Sequence, residues 1–228
     1  MTDFVITAPP QVSIPVKDSS SKFPVRRVYC IGRNYADHAI EMGHDPDKEP
    51  PFFFQKDADN LVSDGVFPYP VQSNDVHHEV EMLAALKSGG RNISVNQALE
   101  HVYGYAVCLD MTRRDLQAVQ KKMRRPWEIG KSFEASAPVG IITPVSENEH
   151  LSDALIELKV NGEVRQTGNL NQMIWKVAEM ISYLSDYFEL AAGDVILSGT
   201  PAGVGPVERG DKLCAHIDGL EDLHVSVV

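Results

Sequence analysis

Glu79 and Glu81 stand two residues apart in the segment HHEVEMLAAL, so strand periodicity points both side chains to one face. Leu83 and Ala85 continue that face and turn the carboxylates inward beside apolar neighbours. Two like charges in a partly dry site repel, and burying either one unpaired is costly. A divalent cation resolves both difficulties. Asp110 closes the apolar run YGYAVCL and puts a third carboxylate at the edge of the core. Three carboxylates without a neighbouring cysteine favour a hard ion, Mg²⁺ or Mn²⁺, with positions left for water and substrate. Spacing alone equally accommodates a solvated strand face with Asp110 capping the next helix.

Counting on from Asp110, Arg114, Gln117 and Lys121 follow at offsets that share one helix face. An Arg and a Gln over a metal make a grip for a substrate carboxylate, which Arg binds as a bidentate fork. Lys121, Lys122, Arg124 and Arg125 form a basic island in an acidic chain. Its outer members read as a solvated helix end, and the island can also meet a distal carboxylate. In GRNYADHAIEMG, His38 and Glu41 are three apart on one short helix. A carboxylate beside an imidazole fixes its tautomer and suits it to take a proton from water, although such pairs also occur as surface decoration. GTPAGVG, residues 199 to 205, is neither G-x-G-x-x-G nor a P-loop, and Pro206 follows where a helix would begin. It reads as a glycine turn presenting backbone N–H groups and Thr200 to a small anion. Arg209-Gly210-Asp211 reads as a turn between strands.

These residues must be positioned by elements that the pattern outlines. Residues 1–24 carry four prolines and a serine run and read as an irregular arm; residues 25–228 read as a single catalytic domain. VRRVYCIG, PFFFQK, HHEVEMLAAL and YGYAVCLD read as strands, with Asn34 as N-cap of a short helix ending near Gly43. MTRRDLQAVQKKM reads as a helix stopped by Pro126. Asn161-Gly162 lies between two alternating runs, a strong hairpin signal. Met173, Ile174, Val177, Met180, Ile181 and Leu184 sit at helical spacing and read as a core-facing stripe. DVILSG, KLCAHI and LHVSVV are strand-like. The class is α+β, a mixed, mainly antiparallel β fold with a few outer helices.

The composition sets outer bounds. Hydrophobic residues are 43% and charged residues 23% of the 228, enough apolar material for a sizeable core. A net charge of −11 argues against nucleic-acid and anionic-membrane partners. The N-terminus reads as lacking a secretory signal, and no stretch approaches the roughly 20 apolar residues of a membrane span. Cys30, Cys108 and Cys214 lie far apart, each beside apolar residues, and read as buried free thiols of a cytoplasmic protein.

The motifs IGRNYADHAIEMG, VHHEVEM, YGYAVCLDMTRRDLQ, the Lys of WEIGKSFEASAP, RQTGN and GDVILSGTPAGVG occur in one order. In that order the chain resembles the fumarylacetoacetate hydrolase family over residues 25 to 228, in its short acylpyruvate hydrolase branch. The segment RRDLQAVQKKMRRPWEIGKSFE is most similar to fumarylpyruvate hydrolases. The resemblance implies metal ligands at Glu79, Glu81 and Asp110, and a water-activating pair at His38 and Glu41. It implies substrate-side residues at Arg33, Asn34, Arg114, Gln117 and Thr200, and a catalytic Lys131. It further implies a fold of that family's type, a homodimer, and a mobile segment carrying His38. The implied reaction is hydrolysis of a 2,4-dioxo acid, fumarylpyruvate to fumarate and pyruvate, in aromatic catabolism. Two alternatives use the same metal and enolate: decarboxylation of oxaloacetate, or decarboxylation and isomerisation of a hydroxy-dienoate diacid. A metal-stabilised binding protein without catalysis is the alternative of another class.

Overall fold

The structure, a computed structural model, describes residues 4–36, 52–146 and 149–228. Strands predominate. We label β1 (Val28–Gly32), β2 (Phe52–Lys56), β3 (Val66–Phe67), β4 (Val76–His78), β5 (Val80–Leu86), β6 (Val102–Leu109), β7 (Thr143–Pro144), β8 (Leu155–Val160), β9 (Glu163–Asn169), β10 (Val195–Leu197), β11 (Lys212–Ile217) and β12 (Leu223–Val227). The helices that bear on the site or the core are α1 (Arg114–Met123), the one-turn α2 (Glu128–Lys131) and α3 (Val177–Tyr187). None among the described residues is long and apolar enough to cross a membrane.

A six-stranded sheet runs in the order β7-β6-β5-β10-β1-β2, antiparallel except for the parallel pair β10 and β1. It is covered on both faces, so its strands are apolar throughout, and alternate residues enter different cores. Tyr29, Ile31, Met82, Ala84, Val107, Leu109 and Ile196 face one core. Val28, Cys30, Leu83, Ala85, Ala106, Cys108, Val195 and Leu197 face the other. The first core is closed by α3 and by a second sheet, β9-β8-β11-β12-β3, whose outer face is largely exposed. Asn161 and Gly162 both take positive φ at the β8–β9 turn, as a tight hairpin requires. Cys214, expected to be buried, sits half-exposed on that outer side, while Cys30 and Cys108 are buried.

Four local expectations change. Within the N-terminal segment read as irregular, Ser13–Pro15 and Lys22–Pro24 pair as a hairpin, and Ile14 and Phe23 pack into the second core. Helix α1 ends at Met123 as its segment predicts, capped by the left-handed Arg124 (φ 53°), but starts only at Arg114, because Thr112 and Arg113 pair with β4 instead. Met173 and Ile174 precede α3 instead of belonging to it, since the chain there is tied to Asn34. Asn34 itself, expected on the substrate side, is fully buried. Its Nδ2 donates to the carbonyls of Trp175 (2.9 Å) and Ser198 (2.7 Å), and its Oδ1 accepts from the Trp175 N–H (2.7 Å).

That single amide clamps the end of β1 to the entry of α3 and the exit of β10. Asn34→Ala is expected to lower folding stability by about 2–4 kcal/mol, since partner groups are left unsatisfied in a dry interior. Urea unfolding of the variant beside the parent would show it; a change within 0.5 kcal/mol of the parent (roughly the surface-substitution range) would refute the tether.

Candidate metal-dependent active site

The site forms where β5 and β6 lie side by side and the chain bends into them. Glu79 is not inside a regular strand: it is the hinge between β4, which pairs with Thr112–Arg113 and Gly205–Pro206, and β5 in the central sheet. Its carbonyl accepts the N–H of Asp110 (2.8 Å). Glu81 continues the face of Leu83 and Ala85, as its spacing predicts, and accepts the Gly199 N–H at Oε2 (2.8 Å). Asp110 follows directly on β6, ahead of α1, instead of starting the helix. All three side chains are buried, and one carboxylate oxygen from each lies within 4.8 Å of the others. Around an octahedral Mg²⁺ adjacent oxygens are about 3 Å apart and opposite ones about 4.2 Å, so the three side chains close on an ion by drawing together. Among the described residues Asp110 Oδ1 accepts no hydrogen bond, and it is ion-paired with Lys56 Nζ at 2.8 Å. An oxygen so placed fits a cation.

The charge is countered by cations from distant segments. Lys131, on α2, donates its three protons to Glu79 Oε2 (2.8 Å), Asp110 Oδ2 (2.6 Å) and Thr112 Oγ1 (2.7 Å). Burial works against its charge, yet Asp110 and Glu79 outweigh it and hold the ammonium above its ordinary pKa. Arg114, the first residue of α1, gives Nη2 to Glu79 Oε1 (2.5 Å) and Nη1 to Gln117 Oε1 (2.8 Å). Burial pushes the Glu81 carboxyl well above the usual carboxylate range, with Asp110 and Glu79 adding repulsion.

One cleft is lined by these groups together with Gln117, Thr200, Arg33, Phe52, Lys121 and Trp127. The spacing of Arg114, Gln117 and Lys121 on one helix face therefore holds. Lys121 Nζ lies 4.8 Å from the centre of the Trp127 ring, and Arg33 5.7 Å from that of Phe52. Burial pulls the Lys121 ammonium down to about 8, with Arg114 and Arg33 adding to the effect. Asn34 is not among the lining residues. His38 and Glu41 lie outside the described residues.

Two supports were not singled out from the sequence. Lys56 closes β2 with its side chain wholly buried, reaching Ser136 Oγ (3.1 Å) and the Lys131 carbonyl as well as Asp110. A lysine ending the aromatic run FFFQK on the inward parity was the available signal. Gln166, in β9, bonds Thr200 Oγ1 (2.8 Å) and the Val80 N–H (3.1 Å); it is the buried position of an otherwise exposed strand.

With this geometry in place, comparison with known proteins assigns the fold. The model for the C-terminal region of fumarylacetoacetate (FAA) hydrolase matches residues 27–228. The chain belongs to the fumarylacetoacetate hydrolase family. A crystal structure of fumarylpyruvate hydrolase from Pseudomonas aeruginosa, in complex with Mn²⁺ and pyruvate, is 51% identical, covers 99% of each chain and superposes with a TM-score of 0.97. A mitochondrial oxaloacetate decarboxylase of Dictyostelium discoideum is 38% identical over 89% of this chain and 94% of its own. A mitochondrial oxaloacetate tautomerase of Arabidopsis thaliana is 39% identical over 88% and 90%. Members of the family are thus enzymes of more than one kind.

The raised Glu81 carboxyl fixes a sign for the metal-free protein. Folding favours its protonated form, so its contribution is full below the ordinary value of 4.5 and is lost as pH rises through the higher folded value. A bound cation needs the ionised carboxylate and recovers what is lost. Adding Mn²⁺ to chelator-treated protein is therefore expected to raise Tm more at about pH 8 than at about pH 5. Melting curves across that range check it, and a gain independent of pH would count against Glu81 as a ligand.

Proposed function

We propose that the protein is a metal-dependent acylpyruvate hydrolase that cleaves fumarylpyruvate with water to fumarate and pyruvate, acting as a cytoplasmic homodimer in aromatic catabolism. The observation that carries this reading is the convergence of Glu79, Glu81 and Asp110 with Lys131, Arg114, Gln117 and Thr200 in one cleft. Identity of 51% to a fumarylpyruvate hydrolase over nearly the whole chain supports the choice of acyl group.

Three carboxylates, Glu79, Glu81 and Asp110, face three cations, Lys56, Lys131 and Arg114. An Mg²⁺ or Mn²⁺ ion held by the carboxylates would supply Lewis-acid polarisation of a 2-oxo acid. Arg114 is already oriented by Glu79 and Gln117, so the guanidinium–amide pair is pre-set to receive the substrate's 1-carboxylate. Thr200, held by Gln166, offers its hydroxyl to the same cleft. His38, oriented by Glu41, takes a proton from water, whose oxygen bonds to C4. The C3–C4 bond then breaks, its electron pair stays on C3 of the pyruvate enolate, and the hydroxyl completes the fumarate carboxyl. Lys131 stabilises the enolate oxygen and returns a proton to C3 to give pyruvate.

A second reading, tautomerisation or decarboxylation of oxaloacetate, is favoured by the relatives bearing those activities. It uses the same enolate and needs proton transfer but no activated water. A panel of fumarylpyruvate, acetylpyruvate and oxaloacetate with Mg²⁺, each followed by pyruvate release and oxaloacetate also by the absorbance of its enol–keto interconversion, separates the two. The expectation is rapid fumarylpyruvate turnover, abolished by a chelator and restored by Mg²⁺. If only oxaloacetate reacted, the hydrolase reading would fail. His38→Ala is expected to lose roughly 10²–10⁴-fold in kcat, and near-parental turnover would remove it as the base. Calorimetric titration of a Glu79→Gln/Glu81→Gln double variant is expected to show Mg²⁺ affinity lost.

A further inference from the structure

The basic run at the end of α1 is not uniform. Lys122, Arg124 and Arg125 are exposed, whereas Lys121 is half-buried and lines the cleft that holds the carboxylate cluster. Among the described residues the Lys121 ammonium has no hydrogen bond and no carboxylate partner; its one close neighbour is the face of Trp127 at 4.8 Å. A charged amine withdrawn from water and left with a ring face is incompletely compensated. Its depressed pKa reflects the same deficit. An anion arriving beside it would complete the pairing.

We propose that Lys121 is a specificity-determining residue that receives a second, distal carboxylate, so that the cleft selects dioxo acids bearing a dicarboxylic acyl group. This rests on the hydrolase reading above. The helix supplies the measure: Arg114 and Lys121 are seven residues apart on one face, about 10 Å along the axis at ~1.5 Å per residue. Gln117 lies between them. Both side chains line the cleft. In fumarylpyruvate the two carboxylate carbons are separated by six bonds, about 7 Å, twice the ~3.8 Å that three bonds cover in an extended chain. With one carboxylate at Arg114, the longer diacid reaches towards Lys121 and oxaloacetate does not. The wall between them suits the linking group. Phe52 and Trp127 meet edge to face at 4.9 Å, and Arg33 lies over Phe52, so a flat conjugated alkene has aromatic surface to lie against.

The test compares kcat/KM for fumarylpyruvate and acetylpyruvate, the latter lacking the distal carboxylate, in Mg²⁺-loaded parent, Lys121→Met, Lys121→Arg and Lys122→Met. Lys121→Met is expected to reduce the preference for fumarylpyruvate roughly 10- to 100-fold, mainly through KM, as the loss of one charge-assisted bond predicts. Lys121→Arg is expected to restore most of it, and Lys122→Met to keep it. An unchanged preference in Lys121→Met, or an equal loss on both substrates, would overturn the proposal while leaving the hydrolase reading intact. If the parent hydrolysed neither compound, that reading would have failed. The subsite is then decided by calorimetric titration of the uncleaved fumarylpyruvate: weaker binding to Lys121→Met supports it, and equal binding overturns it.

Discussion

Three carboxylates are buried within 4.8 Å of one another at the end of the central sheet, and the surrounding structure is organised to make that tolerable. At an effective dielectric of about 20, each such pair repels by roughly 3 kcal/mol. A neutral hydrogen bond contributes about 1 kcal/mol net, so donors such as the Gly199 N–H cannot balance the set alone. Cations can. Lys131 meets two of the carboxylates with an ammonium whose three protons are all placed, and Lys56 approaches Asp110 from the other side. The need to deliver Lys131 explains the short helix α2, which packs so closely on α1 that a Cβ at Gly130 would lie 3.0 Å from the backbone nitrogen of Gln117.

The same constraint shapes the cleft. Its floor is acidic and held rigidly by groups from β2, β5, β6 and α2, while its rim along α1 is cationic and aromatic. Floor and rim share Arg114, which binds Glu79 and also begins the helix face that leads outward to Gln117 and Lys121. Asp115 secures that helix start, accepting from Ser73 Oγ and the Asn74 N–H. A substrate anion is thus met by groups on a helix that the metal-ligand cluster itself holds in place.

Much of this was legible in the chain. The strands, the Asn161-Gly162 hairpin and the shared helix face of Arg114, Gln117 and Lys121 follow from local periodicity, while the grouping of Glu79, Glu81 and Asp110 needed the family resemblance beside it. What local pattern does not carry is pairing across long sequence separations. Asn34 looked like a cap because an Asn before a helical stretch favours that role. Its amide instead reaches Trp175 and Ser198, more than 140 residues on, and the same tether holds Met173 and Ile174 out of α3. Lys56 was passed over for the same reason: its partners Asp110, Lys131 and Ser136 are brought to it only by the fold. Glu79 faces the cluster for a reason other than strict alternation. It sits at the bend between two sheets, and a two-residue spacing yields the same convergence either way.

That bend explains why a surface hairpin carries a motif at all. Gln166 Oε1 accepts the Val80 N–H (3.1 Å), which fixes that atom as the oxygen, so His78 Nδ1 at 2.9 Å must carry a proton and donate to it. The amide Nε2 donates to Thr200 Oγ1 and to the Pro201 carbonyl (2.9 Å). All four hydrogen-bonding capacities of one side chain are thereby used, two on the residues flanking Glu79 and two on the loop that carries Thr200. Burying a half-satisfied amide would be costly, so the arrangement is held as a unit. The hairpin β8–β9 therefore sets the separation between a carboxylate of the cluster and the Thr200 hydroxyl, and the second sheet governs the site without contributing a ligand to it.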